Sequence, residues 1–212
     1  MARNELNLVH ADIEGARAAA NVITSSGLTV YPTDTTYAIG VNALDQGAVQ
    51  AVQRLKGRSA TKAMSVLLSG TEDIPGYAIV NELQMRWARA LLPGPVTLIF
   101  NSSAVGSALA CSDATVGIRI PDSDFCRNLA TLAGVPITAT SANLSGDREA
   151  YDLKDAIDRL DGRAARVQLF VDGGTLTSQQ PSTIIDLTGQ EPRIVRNGAL
   201  PSDEVRRLTA RS

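Results

Sequence analysis

Four stretches of this chain gather hydroxyl and cationic side chains beside turn-forming residues. They are Tyr31-Pro-Thr-Asp-Thr-Thr-Tyr37, Lys56-Gly-Arg58 with Lys62, Thr140-Ser-Ala-Asn-Leu-Ser-Gly146, and Pro181-Ser-Thr183 with Arg196. Hydroxyls and fixed cations with few acidic neighbours are groups that bind and align anions. Two apart on a continuous helix, Lys56 and Arg58 would point in different directions and could not share a ligand. Gly57 permits a left-handed helix stop, after which Arg58 and Lys62 lie on an extended loop. Cations grouped in this way either surround a polyanion or form a solvated helix end favoured by the helix dipole. Spacing alone leaves both readings open. The 141–146 loop reads equally as ligand contacts or as Ser and Asn side chains capping a turn. Thr33, Thr35 and Thr36 read equally as closure of a β-turn after Pro32, and Pro181-Ser182-Thr183 as the opening of a strand.

Several chemistries are excluded or made remote. No GxxxxGK[ST] loop or GxGxxG fingerprint occurs, so the commonest nucleotide folds are not indicated. The single histidine, His10, reads as a surface or capping residue, which leaves a Ser-His-Asp or Cys-His machine nothing else to draw on. Cys111 and Cys126 form no CxxC pair and read as buried reduced thiols rather than zinc ligands; no metal site is expected in the protein itself. A net charge of −2 argues against a broad basic nucleic-acid surface, and 4% aromatic content is too thin for a base-stacking platform.

The elements that must position these residues alternate between strand and helix. The composition, 44% hydrophobic and 20% charged over 212 residues, is that of a globular chain with a sizeable core. Helices are expected over Asp12–Ser25, Gln46–Lys56, Asn81–Leu92, Asp124–Ala133, Leu153–Leu160 and Pro201–Ala210. Strands are expected over Leu28–Tyr31, Met64–Leu68, Val96–Phe100, Thr115–Ile120, Pro136–Thr140, Val167–Val171, Thr183–Leu187 and Arg193–Arg196. The last strands follow one another without helices, so the α/β sheet is expected to mix parallel and antiparallel pairs within one domain, residues 1–212. Ligands of such sheets gather outside the carboxyl ends of strands, and two of the polar segments directly follow strand candidates. Apolar runs such as Val66–Leu68 are far too short for a membrane span, and Met1–Asn7 lacks an apolar leader core, so a cytoplasmic protein is expected.

Taken in order, seven segments resemble the YrdC-like family of threonylcarbamoyl-AMP synthases: Tyr-Pro-Thr-Asp-Thr (31–35), Lys-Gly-Arg (56–58) with Lys62, Leu-Pro-Gly-Pro-Val-Thr (92–97), Val-Gly-Ile-Arg-Ile-Pro (116–121), Thr-Ser-Ala-Asn-Leu-Ser-Gly (140–146), Pro-Ser-Thr-Ile-Ile-Asp (181–186) and Arg-x-Gly (196–198). The resemblance implies a twisted mixed sheet with flanking helices and a concave basic cavity. It implies a nucleotidyltransferase that joins L-threonine, bicarbonate or CO2, and ATP into threonylcarbamoyl-AMP and pyrophosphate. Partner proteins would then pass the threonylcarbamoyl group to tRNA. By matching position, Thr35, Leu67, Arg119, Ala139 and Ser182 would surround threonine. Arg58, Lys62, Thr115, Ser141, Asn143 and Arg196 would surround ATP, with Lys56 and Arg58 as the catalytic cations. Magnesium would arrive bound to the ATP phosphates.

The chain departs from the family pattern at Leu67, where many relatives carry His, at Ala63 in place of Pro, and at Ala38-Ile39 in place of Gly-Leu. It reads as the short form, without the extra C-terminal domain of longer relatives. A competing expectation is a relative of the same fold that binds double-stranded RNA without catalysis, which the acidic balance disfavours. Carbamoyl transfer from carbamoyl phosphate is weaker still, because the zinc-type cysteines of such factors are lacking. Direct RNA binding is therefore expected to be weak or absent.

Overall fold

A computed structural model of the protein describes residues 6–57, 63–109 and 114–210. In chain order the elements begin with β1 (Leu8–His10), α1 (Ile13–Thr24), β2 (Thr29–Pro32), β3 (Tyr37–Gly40), α2 (Gln46–Lys56) and β4 (Ser65–Leu67). There follow α3 (Ile74–Tyr77), β5 (Ala78–Ile79), α4 (Glu82–Leu91), β6 (Val96–Ser102), α5 (Ala104–Ser107), β7 (Thr115–Arg119) and α6 (Asp124–Ala133). The last are β8 (Ile137–Ser141), α7 (Leu153–Arg159), β9 (Leu169–Asp172), β10 (Thr183–Asp186), β11 (Arg193–Arg196) and α8 (Ser202–Ala210).

Local chemistry explains the helix ends that matter for the site. Asp45 accepts from the Ala48 N–H at 3.0 Å and caps the start of α2. Gly57 ends α2 at φ 61°, ψ 34°, the left-handed stop expected from its position after Lys56. Asn81 and Gln84 form a reciprocal capping box at the start of α4.

The strands form one sheet in the order β1-β9-β2-β3-β8-β4-β7-β6-β10-β11, with β5 paired to β6. Pairs β4–β7 and β6–β10 are parallel, whereas β3–β8, β4–β8 and β6–β7 are antiparallel, so the expected mixture is present. The hairpin partner β3 and the short β1 and β5 lie outside the strands expected from the sequence.

Alternation along the strands divides the molecule into two faces. Val66, Leu98, Phe100, Val116, Ile118 and Ile185 point into the larger core, under α2, α4, α7 and α8. On the other face, Tyr31, Ala38, Leu67, Ile137, Leu169 and Val171 pack beneath α1 and α6 in a smaller core. Gly15 lets α1 approach closely: a Cβ there would sit 1.8 Å from the His10 carbonyl oxygen. Helices α1 and α6 cover only part of their face. Over β7, β6 and β10 the sheet stays open, and this uncovered area positions the site. The site thus lies on a sheet face, not outside the strands' carboxyl ends as expected, because a mixed sheet has no single carboxyl edge.

Candidate active site

The open face carries a cavity of about 480 Å³ whose floor is the outward-facing residues of five strands. Ser65, Thr97, Ile99, Thr115, Gly117, Arg119, Ala139, Ser141 and Ile184 occupy alternate positions on β4, β6, β7, β8 and β10. Among the described residues its charged lining is Lys56, Arg119 and Arg196 facing Asp147 and Glu149.

Arg119 is 5% exposed, and its Nη2 donates to Asp34 Oδ1 at 2.7 Å and to Thr35 Oγ1 at 2.9 Å. Asp34 is itself held by the Asp122 N–H, which donates to its other carboxylate oxygen at 3.1 Å. Among the described residues, the buried Arg119 Nε–H has no acceptor. A buried unmatched donor on a cation costs roughly 1–3 kcal/mol, so the site is poised for an acceptor it does not itself supply. Thr35 is fully buried and does not line the cavity; its hydroxyl lies between Arg119 and the Thr33 hydroxyl, 3.2 Å away. It touches the lining through its bond to Arg119, whereas its neighbour Thr36 is in the lining.

Ser182 and Arg196 build the opposite wall. Ser182 Oγ lies 2.9 Å from Thr97 Oγ1, and Arg196 Nη2 donates to the Ser182 carbonyl at 2.7 Å. Burial lowers the Arg196 pKa; nearby Glu149 opposes that shift and Arg119 adds to it. Arg119 thus lies near enough to disfavour the Arg196 charge, and both guanidinium groups line the one cavity. Gly198 sits tightly behind this wall, where a Cβ would lie 2.3 Å from the Pro181 carbonyl oxygen.

The third wall is the loop after β8. Lys56 is 4% exposed, and its Nζ donates to the carbonyls of Ser141 and Asn143 and to Asn143 Oδ1. Although Lys56 lines the cavity, its ammonium is turned to this loop, which departs from the expectation of a cation facing phosphate. Arg58 and Lys62 lie outside the described residues.

The structure therefore brings Lys56, Thr115, Arg119, Ala139, Ser141, Asn143, Ser182 and Arg196 around one cavity, although they span most of the chain. Leu67 does not join them. It is fully buried in the smaller core with Phe125 and Leu129 of α6. It shares a face with Ser65, but α6 covers that end of β4. Sequence reasoning assigned no role to Thr97, Ser65, Asp147 or Glu149. Thr97 had a signal, since it lies in the quoted 92–97 segment and alternates with buried Val96 and Leu98. Cys126 is on the buried face of α6, outside the cavity lining, with its thiol pKa pushed up to about 12 by burial. His10 is exposed at the end of β1. Cys111 lies outside the described residues. Among the described residues no His, Cys, Asp and Glu group is arranged to hold a metal ion, and no helix is long and apolar enough to cross a membrane.

Fold and site together define an α/β protein with a polar cavity, lined by Lys56, Arg119 and Arg196, on an open sheet face. The family model described as Sua5_yciO_yrdC, telomere recombination, matches residues 21–198. The chain belongs to that family. It is 32% identical over 195 residues to a threonylcarbamoyl-AMP synthase of Pyrococcus abyssi, covering 91% of this chain and 56% of that protein. It is 34% identical over 185 residues to a putative threonylcarbamoyl-AMP synthase of Methanocaldococcus jannaschii, covering 87% and 86%. The crystal structure of P. abyssi Sua5 complexed with L-threonine superposes with a TM-score of 0.87 at 30% identity, over 97% of this chain and 61% of that one. This chain thus spans little more than half the length of the archaeal relative with that structure.

Proposed function

We propose that the chain is an L-threonylcarbamoyladenylate synthase, a nucleotidyltransferase acting on L-threonine, bicarbonate or CO2, and ATP. The observation that carries this reading is Arg119: a buried guanidinium in the cavity lining, clamped on one nitrogen and, among the described residues, lacking an acceptor on another. A threonine carboxylate supplies the missing charge and acceptor. The neighbouring Thr97–Ser182 pair is suited to the amino acid's polar groups, and Ala139 to its backbone side. Arg196, Thr115 and the 141–146 loop are suited to the nucleotide. Relatives named for this activity, and one whose structure holds L-threonine, support the assignment.

The chemistry asks little of side-chain nucleophiles. The threonine amine adds to CO2, losing a proton and forming a carbamate. A carbamate oxygen attacks the α-phosphorus of ATP, the bond to the β-phosphate oxygen breaks, and pyrophosphate leaves with the electron pair. The protein holds two anions in line and offsets the charge that develops on the phosphoryl oxygens. Magnesium belongs to the ATP substrate, whose phosphates and waters complete most of its oxygen shell. The product is then passed to tRNA by partner proteins. The test is pyrophosphate release from ATP: it should require L-threonine and bicarbonate together, and release without either would count against the assignment.

A further inference from the structure

The loop that follows β8 is held by buried cations at both ends. At its start, the three N–H groups of the Lys56 ammonium are matched by three acceptors: the Ser141 carbonyl, the Asn143 carbonyl at 2.9 Å and Asn143 Oδ1 at 3.0 Å. The Lys56 carbonyl accepts in turn from the Ser145 N–H at 2.9 Å. At the loop's end stands Arg159 of α7, whose side chain is only 9% exposed. Its Nη1 donates to Asp147 Oδ2 at 2.9 Å, while its Nε and Nη2 grip the two oxygens of Asp155, each at 2.9 Å. Asn143 joins the two grips: its Nδ2 donates to the Asp147 carbonyl at 2.6 Å, and its Oδ1 accepts from Ser141 Oγ at 2.6 Å. A continuous chain of hydrogen bonds, charge-assisted at its two ends, therefore runs from α2 through the loop to α7.

Surface loops ordinarily carry an ordering cost that a ligand must meet on binding. A buried ammonium is itself costly unless its donors are satisfied, and here one loop satisfies them. Arg159 lies outside the cavity lining, so any influence it has on a ligand passes through Asp147. We propose that Lys56 and Arg159 are positioning residues, which preform the 141–147 wall before nucleotide arrives, and that Lys56 acts through this loop rather than on a phosphate. The inference rests on the assignment of this wall to ATP, and it is tested by a property that needs no ATP.

The experiment is amide hydrogen exchange on the ligand-free chain, comparing the wild type with Lys56→Met and Arg159→Met, alongside steady-state kinetics. Exchange over residues 141–147 should quicken at least about tenfold in each variant, with β6 and β7 unchanged. The KM for ATP should rise roughly tenfold while that for threonine moves less, and Arg159→Lys should recover part of the loss. Should Lys56→Met fail to fold, Arg159→Met carries the same two readouts. An unchanged loop in ligand-free Lys56→Met with a raised KM for ATP would overturn the proposal, assigning Lys56 to direct phosphate contact. Faster loop exchange with no effect on the ATP KM would overturn it as well. Faster exchange in a chain that turns over no ATP even as wild type would support the tether and remove the ATP assignment instead.

Discussion

Arg119 and Asp34 form an ion pair at 2.7 Å with side chains only 6% and 10% exposed, and this pair fixes the guanidinium in the cavity lining. Asp34 and Thr35 both accept from Nη2, and among the described residues the Nε–H has no acceptor. Removing one partner of a buried pair leaves an uncompensated charge, so Asp34→Ala should destabilise the fold by about 3–5 kcal/mol. Denaturant unfolding measures this, and a loss near that of a surface substitution would contradict it.

Arg119→Lys keeps the charge but not the planar fork. It should raise the KM for threonine about tenfold or more, with a smaller change in the KM for ATP. Equal shifts in both constants would show that Arg119 does not belong to the amino-acid half of the cavity.

Serine should replace threonine poorly but measurably. One methyl in an apolar site is worth only about 1–3 kcal/mol, so kcat/KM should fall roughly tenfold to a few hundredfold. Competing the two amino acids in one pyrophosphate assay reads the ratio directly, and equal use of both would remove threonine as the preferred substrate.

Much of this arrangement was legible in the sequence because it rests on local signals. Asp45 and Gly57 bound α2, and Gly57 adopts the left-handed stop that its place after Lys56 suggested. The strands expected over Val96–Phe100 and Thr115–Ile120 are present as β6 and β7, and the structure turns Val96, Leu98, Val116 and Ile118 into the core. Strand β3 was hidden because Tyr37–Gly40 is short and ends in glycine, and its pairing comes from the Thr33–Thr36 turn and from β8. Leu67 shows the limit of periodicity. Its parity puts it on the cavity face with Ser65, but how far α6 extends over that face depends on contacts distant in the chain. The Thr97–Ser182 and Lys56–Asn143 bonds join residues 85 and 87 positions apart, beyond the reach of any local pattern.

Cys126 should be inert in the native chain. Burial pushes its thiol from 9.0 up to about 12, so the fold favours the neutral form. The associated stabilisation is present below the unfolded thiol's pKa and is lost as pH rises towards the folded value. Alkylation at about pH 8 followed by peptide mapping should leave Cys126 unlabelled until denaturant is added. Native labelling as fast as in denaturant would contradict its placement on the buried face of α6.

Generic duplex RNA should bind weakly. With a net charge of −2, affinity at physiological salt is expected at about the micromolar level or above. Tight binding that resists added salt would favour the reading of this fold as an RNA-binding relative.

In the proposed reaction one cavity joins threonine, inorganic carbon and the adenylate of ATP. Supplying carbon-13 bicarbonate with ATP and L-threonine, then weighing the nucleotide product by mass spectrometry, tests this directly. Threonylcarbamoyl-AMP carrying the heavy carbon should form in step with pyrophosphate and be lost when threonine is omitted. An adenylate of unlabelled threonine, or ATP consumed without any threonine-bearing nucleotide, would contradict it.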